Sequence, residues 1–171
     1  MPTCPRCALA ALVLLALAGC DSNNPGRDLE LLDGVYSLEE LRFVPISALP
    51  PADVAARLNL AETSLEIFGD EDDPSLLRVR YSDETPRRRV DLVTTASRGR
   101  VTFEAANASG EEVLAALLLP RSFTLTYDGD APRVLSGSLA RSGVDLEPFD
   151  PVLYKGENDK QGTLEVELVR R

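Results

Sequence analysis

The 171-residue chain has no histidine, no tryptophan, one methionine and three cysteines, and all three cysteines fall within the first twenty positions. Without histidine the commonest general base and the commonest transition-metal ligand are missing. A Ser-His-Asp or Cys-His catalytic arrangement is therefore impossible within this chain. Lysine is nearly absent too: Lys155 and Lys160 are the two, and every other basic residue is arginine. Acidic residues number 28 against 18 basic ones, for a net charge of −10. That field repels phosphate backbones, which argues against nucleic acid as a partner. These absences leave carboxylate-only chemistry and an oxygen-ligated Ca²⁺ site open. No cofactor is implied.

Long apolar runs are missing as well, with one exception. Ala8 to Ala18 is unbroken, but its eleven residues fall short of the roughly 20 needed to cross a hydrocarbon core. Arg6 precedes the run, and Leu17-Ala18-Gly19-Cys20 closes it ahead of the polar stretch Asp21 to Gly26. This is the anatomy of an export signal. Its last four residues resemble the lipobox of bacterial lipoproteins. That resemblance implies cleavage before Cys20, a diacylglycerol on the Cys20 sulfur and often a further acyl chain, such as palmitate, on the new amino terminus. One chain binds a bilayer marginally, whereas two or more hold. The expected partner is thus the lipid bilayer, through acylated Cys20, at the cell envelope, with inner and outer membrane both open. Cys4 and Cys7 form a C-x-x-C that leaves with the signal, so the remaining chain has neither disulfide nor further thiol. The expected organisation is a signal at residues 1–19, a lipid-anchored flexible tether at 20–31 and one folded domain at 32–171. About 150 residues suffice for one core.

The domain reads as short strands with alternating faces. Leu32 to Pro45 opens it, with an imperfect alternation that predicts a bulge or bend. Pro50 to Leu58, with Val54 and Leu58 four apart, predicts a short helix plugging one end. Leu65 and Ile67, then Leu77, Val79 and Tyr81, then Val90 and Leu92, then Val101, Phe103 and Ala105 alternate with polar neighbours. Ser109 and Glu112 have capping-box spacing ahead of a helix carrying Val113, Leu114, Leu117 and Leu118. Phe123, Leu125 and Tyr127 follow, then Leu135 and Leu139. Leu164, Val166 and Leu168 make a last strand. Asp145 to Tyr154, with two prolines, has room for one helical turn. The fold class is all-β: an eight-stranded antiparallel up-and-down barrel with one or two short helices, since closure removes exposed edges. A two-sheet β-sandwich is the alternative.

Gly34 and Tyr36, in Leu32-Asp33-Gly34-Val35-Tyr36, are similar to the opening of lipocalins, where a Gly, one spacer and a Trp begin the first strand. Tyr stands here in place of Trp, no second lipocalin motif follows, and a helix lies between strands five and six. The chain is best described as lipocalin-like. The resemblance implies that Gly34 and Tyr36 help close the barrel, with Arg170 or Arg171 packing on the aromatic. It also implies a cavity for a small apolar ligand. The inward candidates are Leu65, Ile67, Val79, Tyr81, Val101, Phe103, Phe123, Leu125 and Tyr127. The same alternation serves equally to fill a barrel that binds nothing.

Other clusters have plainer readings. Asp70-Glu71-Asp72-Asp73 lacks the spacing of a Ca²⁺ loop and reads as a solvated turn. Arg78, Arg80 and Arg87-Arg88-Arg89 read as a solvent face. Asp145, Glu147 and Asp150 are the acids available for paired-carboxylate chemistry, but nothing in the sequence places them in a cleft, so no enzyme is expected. The expected function is a membrane-anchored envelope lipoprotein whose barrel binds or carries a lipophilic ligand. The alternative is a structural or interaction lipoprotein with a filled barrel.

Overall fold

The computed structural model describes residues 25–70, 72–84, 86–129 and 131–171, with side chains from residue 28 onward. The apolar run, the lipobox-like residues and Cys20 lie outside the described residues, as do Glu71, Thr85 and Asp130. The first described element is α1, Pro25–Leu32, where a flexible tether is expected. Leu29 and Leu32, three apart, share one face and are 1% and 0% exposed. This burial converts a polar-looking stretch into a packed helix, so Pro25–Leu32 belongs to the described fold and is not a flexible tether.

Nine strands follow: β1 (Gly34–Pro45), β2 (Ala52–Asp53), β3 (Ser64–Ile67), β4 (Ser75–Val79), β5 (Arg88–Ser97), β6 (Arg100–Ala105), β7 (Ser122–Thr126), β8 (Val134–Val144) and β9 (Lys160–Arg170). Every pairing is antiparallel. From β3 to β9 each strand pairs with the next in the chain, β1 pairs with β3, and β1 with β9 closes the ring. Eight strands therefore form a closed up-and-down barrel, as the alternation predicts. The two-residue β2 lies along β1 at Arg42 and Phe43, where β3 has left off.

The irregular alternation of β1 is a bulge. Its register with β9 shifts between Leu38 and Glu40. Tyr36 and Leu38 face inward before the shift, and Leu41 and Phe43 after it. One extra residue thus moves the apolar set from even to odd positions while keeping it in the core.

Two helix expectations need correction. Residues 50–58 form no α-helix. Ala52 and Asp53 pair with β1 as β2, the Val54 amide donates to the Leu41 carbonyl, and two 3₁₀ turns, Ala55–Arg57 and Leu60–Glu62, follow. β1 takes up the backbone that a helix would have bonded internally. The second helix, α2, spans Ala108–Ala116, and its cap is Asn107, whose side chain accepts from the Gly110 amide at 2.9 Å. The Ser109–Glu112 box is not used because Ser109 already lies inside the helix. Tyr81, expected to continue β4, instead makes an isolated bridge with Leu58.

The ends of the barrel are covered differently. At one end α1 spans the mouth. The Asp28 carboxylate accepts from the Arg98 amide at 2.9 Å, Glu30 packs beside Gly69, and the Leu32 carbonyl accepts from the Tyr36 hydroxyl at 3.0 Å. At the other end lie the 3₁₀ turns, α2 and the 145–157 loop. Tyr154 ties that loop down by donating to the Pro50 and Pro51 carbonyls at 3.1 and 2.9 Å.

Candidate functional site

The nine residues singled out as cavity lining all belong to one continuous core, and none is more than 7% exposed. Phe103 and Phe123 stack at 5.3 Å between ring centroids. Phe43, Leu41, Leu92, Leu114, Leu135 and Leu164 join them at 0–1% exposure. What remains among these side chains is a void of about 30 Å³, walled by Leu38, Leu41, Leu65, Leu92, Phe123, Leu168 and their neighbours. Ligand pockets run to about 300–1,000 Å³, so this void is on the scale of a single water. Among the described residues, the nine lining candidates pack against one another around this small void. Two phenols within the barrel, Tyr81 and Tyr127, have hydroxyls that are buried without a hydrogen-bond partner. Burial raises the pKa of both above the ordinary 10.0.

The closing cluster sits beneath α1. Arg170 lies over the Tyr36 ring, 6.0 Å from its centroid, and also donates to the Asp33 carbonyl. Gly34 has φ +147°, and a Cβ there would lie 2.8 Å from Arg170 Nε. The glycine therefore serves two needs, a backbone conformation closed to side chains and space for the guanidinium. Arg171 turns away and donates to Ser37 Oγ at 2.6 Å. Burial pushes the Tyr36 phenol up, with Arg170 opposing in part.

The charged clusters are self-compensated. Arg78 pairs with Glu66 at 2.7 Å, Arg80 and Arg87 with Glu62 at 3.9 and 3.0 Å, Arg88 with Glu84 at 2.8 Å, and Arg89 with Asp91 at 3.0 Å. The three loop acids hold backbone. Asp145 accepts from the Glu147 amide, Glu147 from Gly156, and Asp150 from Val152 and Leu153. Asp70 accepts from the Asp72 amide in the acidic turn. Among the described residues no group of three or more acidic, cysteine or histidine side chains is disposed to hold a metal ion, and no helix is long and apolar enough to cross a membrane.

The barrel wall has one weak seam, which the sequence reading does not single out. β7 and β8 share a single registered pair, Thr126 with Ser136, whereas β8 pairs with β9 along most of its length. Gly137 permits the last close approach, since a Cβ there would meet the Leu125 side chain at 2.8 Å and the Thr124 carbonyl at 3.2 Å. Beyond it no further pair between the two strands is registered among the described residues. On the free stretch Ser138, Ala140 and Ser142 are exposed, while Leu139 and Arg141 have the parity of the fully buried Leu135 and are half-buried. Arg141 makes no hydrogen bond or ion pair with a described residue, and its Nε is shielded from water.

No family model, curated protein or solved structure matches the chain. The closed eight-stranded barrel is consistent with a lipocalin-like architecture.

Proposed function

We propose that this chain is a lipid-anchored envelope protein whose barrel is a filled scaffold that works through its outer surface. The observation that carries this reading is the lumen, whose residual void of about 30 Å³ is an order of magnitude below an ordinary ligand pocket. Anchoring rests on the lipobox-like Leu17 to Cys20. Four residues, Asp21 to Asn24, separate Cys20 from Pro25, and the five steps between them span at most about 18 Å at 3.3–3.6 Å per residue. The α1 end is then the one nearest the bilayer. The opposite end carries Ile46 at 80%, Val152 at 91% and Leu153 at 50% exposure, facing away from the anchor.

Native mass spectrometry of the chain extracted from membranes in detergent, with Cys20→Ser as comparator, tests both halves. The expected outcome is a mass carrying the covalent acyl groups and no second, exchangeable lipid. The Cys20→Ser protein is expected to leave the membrane fraction while keeping its β circular dichroism. A noncovalent lipid copurifying stoichiometrically with the Cys20→Ser protein would replace the filled-scaffold reading with that of a carrier.

A further inference from the structure

We propose that the β7–β8 seam is a strand-addition site, where β8 takes up an extended peptide segment bearing a carboxylate opposite Arg141. This deepens the outer-surface reading and rests on it. Three observations converge. First, β8 has a free edge. The Ser136 carbonyl, which accepts from Thr126 Oγ1 at 3.0 Å, points toward β7. In an antiparallel ladder alternate residues turn their backbone groups to the same side, so Ser138, Ala140 and Ser142 also face the seam, where no ladder partner lies. Leu139 and Arg141 turn theirs to β9.

Second, the outward face of the edge lacks the usual guards, although the register shift between Arg141 and Val144 bends its far end. Free edges are blunted by lysine, proline or large charged side chains on the exposed face. Here that face presents Ser138, Ala140 and Ser142, with Gly137 and Gly143 at the margins. Small side chains let another backbone come to the roughly 4.8 Å of a sheet.

Third, the seam has a chemical preference. An added strand continues the pleat, so its inward residues meet Leu139 and Arg141. Leu139 takes an apolar side chain. Arg141 offers a guanidinium whose Nε has neither partner nor water, an arrangement that a carboxylate completes with charge-assisted hydrogen bonds. An inward charge also discourages self-pairing at an edge. Two copies joined antiparallel about Ala140 set Arg141 opposite Leu139 and not opposite a carboxylate, which favours a different chain carrying an acid. Backbone bonds would supply affinity and the acid would set the register.

The test uses the full chain in detergent and two dye-labelled nonapeptides of alternating threonine and valine, one with a central glutamate and one with a central lysine. Before peptide is added, hydrogen exchange is expected to show fast amides at Ser138, Ala140 and Ser142 and slow ones at Leu139 and Arg141. The glutamate peptide should bind and slow the three fast amides, and it should bind about tenfold tighter than the lysine peptide. Arg141→Gln should erase that preference. Ala140→Pro removes a seam-facing N–H and leaves the β9 ladder intact, so it should abolish binding with the thermal transition preserved. Slow Ser138, Ala140 and Ser142 amides in the free chain would overturn the proposal, as would peptide binding indifferent to Ala140→Pro. A dimer dissolved by Ala140→Pro would instead assign the edge to a second copy. Failure here with no copurified lipid removes the seam alone, whereas a copurified noncovalent lipid removes the scaffold reading beneath it.

Discussion

Gly34 shows how much of the barrel's closure rests on single atoms. Any side chain at φ +147° is strained, and Arg170 occupies the place its Cβ would take. Gly34→Ala is expected to lower stability by about 1–3 kcal/mol. In a double-mutant cycle with Arg170→Ala, urea titration should recover the crowding part of that loss and leave the backbone part. Tyr36→Phe strands the Leu32 carbonyl, with an expected cost of about 1–3 kcal/mol. The sequence marked Gly34, Tyr36 and a terminal arginine because their types and spacing resemble a known opening. It did not mark Arg141, although the signal was there, since Leu135, Leu139 and Arg141 share one parity. An arginine in an apolar register reads as an ordinary strand end until the neighbouring strand is seen to leave.

Among the elements, α1 departs furthest from expectation. Its eight residues are too few to hold a helix in water, and its composition resembles a linker. Tertiary burial of Leu29 and Leu32 decides its state. Leu32→Ala should cost about 2–5 kcal/mol. It should also raise protease sensitivity at the α1 end, read by limited proteolysis at temperatures where the barrel stays folded. The strands were far more legible, because a period of two has one interpretation wherever one face is buried. Even the bulge in β1 was visible as broken alternation. Residues 50–58 were misread because helix signals there compete with an adjacent strand edge, and a sequence does not show which edges are free. How closely the interior packs was illegible for a related reason: alternation says which side chains point inward but not whether their volumes leave space.

At the scale of the whole molecule, the absence of histidine leaves no side chain of ordinary pKa titrating between about pH 5 and 8. The four tyrosines provide the alkaline limit. Burial raises all of them above 10.0 in the folded state. The fold therefore holds these protons more tightly than the unfolded chain. That contribution to stability is complete below pH 10 and is lost as pH rises through 10 toward the folded values. Alkaline titration should accordingly show tyrosinate absorbance and loss of β circular dichroism rising together. Phenols that ionised well before unfolding would contradict the packed core.

The pairing of β1 with β9 also sets a schedule. Residues 34–45 find their longest partner in residues 160–170, nearly the full length of the domain away. A chain folding from its amino end can make its early hairpins first, but its ring stays open until the final strand arrives. Contacts so distant in sequence form late and slowly. Until then β1 waits with an unpaired edge, so the interval between the first hairpin and closure is when this protein most depends on its surroundings.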